Sequence, residues 1–210
     1  MGHGMTYANP IWCLAAVGAI ASTASCARGE PKLEAVRAAT ERFQDIKVAL
    51  AEGYVADTEC ATAAMMGLPK EVGAMGVHYA RPDLLGITGP PNPRVNGTGT
   101  HTDFQKPAVL IYDPQADGSQ RLVAVENLVF KQAWHAAGNK APPSFEGVPY
   151  DSMADDPKTE LDEAHKFEPH YDRHVWLYRD NPKGIFTPFN SAVSCEHFKG
   201  AAHPVHNKAA

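Results

Sequence analysis

The chain has 210 residues, 44% hydrophobic and 20% charged, with a formal net charge of −5 at pH 7. The apolar share supports a real core, and the length suits one ordinary domain rather than several. The acidic balance, with no Lys/Arg run, argues against a nucleic-acid partner, which needs a basic face to displace counterions from phosphate.

Residues 11–27, IWCLAAVGAIASTASCA, carry no charge. The run is short for a membrane span, which needs about 20 apolar residues, and it fades into small residues as a secretory leader does before cleavage. Residues 1–27 therefore read as a signal peptide, although the first ten hold no Lys or Arg. A buried N-terminal helix is the alternative. The expectation is a secreted or periplasmic protein with no stable membrane span after cleavage. Lipoprotein anchoring through Cys26 fits less well, because Thr23 stands where a lipobox wants an aliphatic residue.

Cleavage after Ala27 leaves two cysteines, Cys60 and Cys195. An isolated pair in an oxidising compartment usually forms a disulfide. Two separate buried thiols are the other reading. A metal site using both is disfavoured, since neither has a CxxC neighbour.

Residues 31–52 predict a helix: Leu33, Val36, Ala39, Phe43, Ile46 and Leu50 recur at spacings of three and four, and Gly53 follows as a stop. Residues 58–74 read as a loop with a short helix, and 75–80 as a strand. The Pro-, Gly-, Thr- and Asn-rich stretch 81–107 is a long loop, a feature that is usually functional or disordered. Residues 108–113 and 121–130 are β-branched runs joined across Asp117-Gly118, the signature of an antiparallel hairpin. Trp134 and His135 fall in a short helical or irregular piece. Residues 138–169 form a polar connection, with Asp155 or Asp156 as the cap of a short helix reaching about His165. Residues 171–178 alternate as a further strand, and the tail 199–210 reads as flexible. Residues 28–198 thus form one α+β domain, with an N-terminal helix packed on a small antiparallel sheet and long Pro/Gly-rich loops.

Strand alternation selects the candidate chemistry. His78 faces away from Val77 and Tyr79, Glu126 away from Val123 and Val125, and His174 away from Val175 and Leu177. If those faces coincide, two imidazoles and a carboxylate converge, a first shell suited to Zn, Cu or Fe with open positions. His170 is a further ligand or a partner to one. His101 and Asp103, in the long loop, are candidate catalytic proton-transfer groups. His135 is another candidate, and His203 and His206 read as adventitious. Two other readings stay open: a hydrogen-bonded polar pocket without metal, and unrelated scattered histidines, since the chain holds ten. No G-x-S-x-G elbow and no H-E-x-x-H helix occurs. The acidic residues Asp155, Asp156, Glu160, Asp162 and Glu163 lack EF-hand spacing.

The strings MGVHYARPDLL (75–85), LVAVENLVF (122–130), HYDRHVWLYRDNPKGIFTPFN (170–190) and the VSCEH that follows resemble a group of exported bacterial proteins of unassigned activity. The resemblance covers roughly residues 35–198 and implies bacterial export; it brings no catalytic residue. Two functional expectations result. One is an exported protein with a His/Glu pocket holding a transition metal. The other is a non-catalytic envelope module that binds a small molecule or an envelope protein.

Overall fold

The structure, a computed structural model, describes residues 32–200. The signal-peptide reading of residues 1–27, and His203 and His206 in the tail, lie outside the described residues.

The expected 31–52 helix forms in three pieces: α1 (Leu33–Thr40), a 3-10 turn (Glu41–Gln44) and α2 (Ile46–Ala51). Asp45 is the cause of the second break. Its backbone is extended (φ −88°, ψ 105°) and its carboxylate accepts from the Lys47 N–H at 3.0 Å. A short polar side chain here offers the backbone a cap in place of a helical bond. The apolar stripe changes phase at this point. Val36 and Phe43 are fully buried as expected, but Ala49 takes the inward position and Leu50 is 51% exposed. Gly53 then ends the segment in the left-handed region, at φ +89°.

β1 (Val55–Thr62) occupies part of the stretch expected to be a loop. It is a largely exposed edge strand without apolar alternation, so it carries no period-two signal. β2 (Ala74–Ala80) and α3 (Pro82–Leu85) follow, then the long loop. β3 (Val109–Pro114) and β4 (Gln120–Phe130) form the expected hairpin, closed by the Gln115 N–H donating to the Ser119 carbonyl at 2.9 Å. α4 (Lys131–Ala136) holds Trp134 and His135. The polar connection contains a two-stranded ribbon, β5 (Ser144–Phe145) with β6 (Val148–Pro149), and then β7 (Asp151–Met153). β8 (His170–Trp176) completes a six-stranded sheet in the order β1-β2-β3-β4-β8-β7, antiparallel at every pairing. The domain is α+β and mostly sheet.

The acidic stretch makes turns rather than the expected capped helix. Its carboxylates close around Arg94, whose Nη2 lies 2.6 Å from Asp155 and 2.7 Å from Asp162. Asp155 and Asp162 also accept the backbone N–H groups of Ala164 and Lys166. One guanidinium and two backbone donors thus hold the loop in a non-helical path.

Both faces of the sheet are covered. On one, Val77, Tyr79, Leu110, Tyr112, Val125 and Val175 pack with Val36 and Phe43 of the N-terminal segments. There the Tyr112 hydroxyl donates to the Phe43 carbonyl at 2.7 Å. On the other, Val109, Ile111, Ala124, Leu128 and Trp176 lie under Leu85 and Val193. Cys60 of β1 and Cys195 are joined in a disulfide across 135 residues of sequence, tying the sheet edge to the C-terminal segment. Closing a loop of that length stabilises by roughly 4–5 kcal/mol in the chain-entropy account. A Cys60→Ser, Cys195→Ser variant should therefore lose stability on that scale in urea unfolding; an unchanged midpoint would contradict the role assigned to this bond.

Candidate metal centre

The site grows from strand register. His78 on β2 lies opposite Ile111 on β3, and Ile111 lies opposite Ala124 on β4. Two residues further along β4, Glu126 lies opposite His174 on β8. Side chains two apart on a strand share a face, so all three polar groups project into the second apolar core. One detail of the sequence reading changes. The β3–β4 pairing shifts between Ile111 and Tyr112, which leaves Val123 as an extra residue. Val123 packs with the Ala124 core, on the side of the centre, rather than away from Glu126 with Val125.

The three groups meet. His78 Nε2 is 3.4 Å and His174 Nε2 3.5 Å from Glu126 Oε2. One ligand atom from each residue lies within 4.8 Å of the other two. The rings stand edge to face, with centroids 6.1 Å apart. Exposure of the side chains falls across the sheet, from 22% at His78 to 6% at Glu126 and 2% at His174.

These approaches are not ion pairs. Burial holds the Glu126 carboxyl well above the usual carboxylate range, and the nearby Asp172 carboxylate pushes it further. Burial also lowers both imidazoles, with the neighbouring His78 adding to the effect on His174. At His78 the Asp57 carboxylate and the Gly76 backbone oppose that fall. The cluster therefore favours a neutral carboxyl between two neutral rings. Hydrogen bonding does not satisfy it either: Glu126 Oε2 and both ring nitrogens of His174 are buried without a hydrogen-bond partner. Each such atom costs about 1–3 kcal/mol.

His170 is not brought into this group. It lies on the same face, four residues from His174, about 13 Å along an extended strand and beyond single-ion reach. It packs against Phe130 and Phe167, faces the Glu168 carbonyl through Nδ1 at 3.0 Å, and is lowered to about 4, chiefly by burial. His135 also stays apart, held by the Asn139 carbonyl at 2.8 Å and the Tyr171 hydroxyl at 3.2 Å. His101 and Asp103 sit in the long loop with local partners: His101 Nε2 is 2.6 Å from the Lys106 carbonyl, and Asp103 accepts from the Gln105 N–H.

Two neighbours escaped the sequence reading. Asp172 is buried and one oxygen lacks a partner; burial first, then Asp151, pushes it up to about 7. Its place two residues before His174 was a readable sign that it shares the face. His165 has a left-handed backbone (φ +54°), an uncommon state for a residue other than glycine, and its charge bears on both His174 and His170. Only the tertiary fold brings it there.

Asp172 gives a pH prediction. Its ordinary value is 3.8, so between that and about 7 the folded state keeps a proton that the unfolded chain has lost. Stability due to this group therefore falls as pH rises through that window. Asp172→Asn removes the slope. Its stability relative to wild type should climb with pH and level off above about 7, by a total on the order of 2–4 kcal/mol. Parallel wild-type and variant pH profiles from thermal melts would contradict this.

Compared with protein-family models, with curated proteins and with solved structures, the chain matches none. The chemistry of the site accordingly rests on its own residues.

Proposed function

We propose that the chain is an exported protein whose His78, Glu126 and His174 hold one transition-metal ion, with Zn, Cu or Fe(II) as the candidates. The observation that carries this reading is the arrangement of donors around Glu126 Oε2. It stands 3.4 and 3.5 Å from two imidazole nitrogens, and neither it nor His174 has a hydrogen-bond partner. Ligand atoms about 2.1 Å from a tetrahedral ion are separated by about 3.4 Å. The two measured edges match that figure, and binding has only to draw the imidazoles closer together. Two neutral nitrogens and one carboxylate suit a borderline divalent ion and leave open positions. Export is supported by the disulfide, a bond of oxidising compartments. No helix among the described residues is long and apolar enough to cross a membrane.

A bound ion supplies Lewis acidity and acidifies a coordinated water. The chain supplies the rest. Glu126 provides the one full charge, the apolar layer of Ile111, Val109 and Trp176 limits competing solvent, and the strands fix the angles of the donors. His101 and Asp103 are the proposed proton-transfer groups, a role that requires them to leave the Lys106 carbonyl and the Gln105 N–H.

Protein purified without a His tag should carry about one transition-metal ion per chain by elemental analysis, and the His78→Ala, His174→Ala variant should carry none. Added metal at 100 times its Kd should stabilise wild type by about 2.7 kcal/mol and leave the variant unmoved. Because Glu126 must lose a proton to bind, affinity should fall as pH drops and binding should release protons. No metal, with stability unaffected by Zn, Cu or Fe, would overturn the proposal and favour a non-catalytic envelope module.

A further inference from the structure

We propose that the bulge Asp57–Glu59 on β1 is the entrance to the centre, and that the Asp57 carboxylate draws a divalent cation through it. This rests on the metal reading above and adds the route and the guiding residue.

The register of the edge strand is the first ground. Ala56 pairs with Tyr79 and Cys60 pairs with Val77, so Asp57, Thr58 and Glu59 stand opposite a single residue, His78. Two extra residues force β1 away from β2 at the one β2 position that carries a centre residue. Bulges recur at sheet edges and beside functional sites because they interrupt pairing there. The exposure gradient is the second ground. The buried end of the centre is His174, and the accessible end is His78, beside the bulge. Entry from the other side would have to cross β8 and β7, where every residue of β8 is buried.

Charge at the bulge is the third ground. Glu59 pairs with Lys166 at 2.7 Å, which neutralises it and fastens the bulge to the turn that crosses the second core. Asp57 is exposed and has no ion-pair partner among the described residues. One of its oxygens accepts the Glu59 N–H at 3.2 Å, which fixes the turn and leaves the negative charge uncompensated. Asp57 begins the bulge that stands opposite His78. A lone carboxylate at the mouth of a low-dielectric site raises the local concentration of cations and speeds their capture.

The test is the rate of zinc uptake by the full metal-free chain, followed by stopped flow against a chromophoric zinc indicator. Wild type is measured first. If it takes up no zinc, the metal reading fails and the entrance fails with it. If it does, Asp57→Asn should load about three- to tenfold more slowly at low ionic strength, with the gap closing as salt is added and the release rate unchanged. Asp57→Lys should be slower still. Glu34→Gln, an exposed acid on α1 over the opposite face of the sheet, removes the same net charge and should load like wild type. Wild-type loading by Asp57→Asn, equal slowing by Glu34→Gln, or a deficit that salt does not close would overturn the entrance while leaving the metal reading intact.

Discussion

The Glu126 carboxyl stands between two imidazoles in a mostly apolar layer that also buries His170 and Asp172, and the arrangement of this sheet makes physical sense around that fact. Apolar residues of similar size would pack there without loss. Instead three buried polar atoms go without hydrogen bonds, a state that native proteins rarely tolerate without a use for it. A shared cation relieves much of this, since it would take Glu126 Oε2 and one ring nitrogen each of His78 and His174 as ligands.

The architecture delivers those groups through backbone pairing alone. Antiparallel pairing sets Glu126 directly across from His174, and the β2–β3 register carries His78 alongside. Strands covered on both faces hold the donors among fully buried neighbours such as Ile111 and Ala124. Rotation of His174 away from the centre would therefore have to displace packed side chains. One irregularity lies within the span of the site and a larger one at its edge. The shift at Val123 alters β4 next to Glu126, and the bulge at Asp57–Glu59 loosens the edge next to His78. The pairing at His174 is regular and the larger bulge lies at the exposed edge beside His78, an arrangement that suits the proposed entrance.

Much of this was legible from period-two alternation. His78 is the one polar residue of β2, while β4 carries Asn127 beside Glu126 and β8 carries His170, Asp172 and Arg173 besides His174; parity places His78, Glu126 and His174 on the face away from Val77, Val125 and Val175. The Asp117-Gly118 hairpin and the Cys60–Cys195 pairing were readable for similar local or compositional reasons. What escaped is non-local. The exposed strand β1 has no alternation to read. Asp45 caps a helix from the middle of an otherwise continuous stripe, so the phase change from Leu50 to Ala49 is invisible to spacing. His170 satisfies the same parity rule as His174, but parity does not encode distance along the strand. The acidic loop reads as a helix start until Arg94, more than sixty residues earlier in sequence, is seen to occupy its carboxylates.

The most direct measurement is an anomalous difference map from crystals of the untagged protein soaked in zinc. The account predicts one strong peak about 2.0–2.2 Å from His78 Nε2, Glu126 Oε2 and a ring nitrogen of His174. A map with no peak there, while the three side chains keep their present separations, would mean that protons and not a metal occupy the space between them.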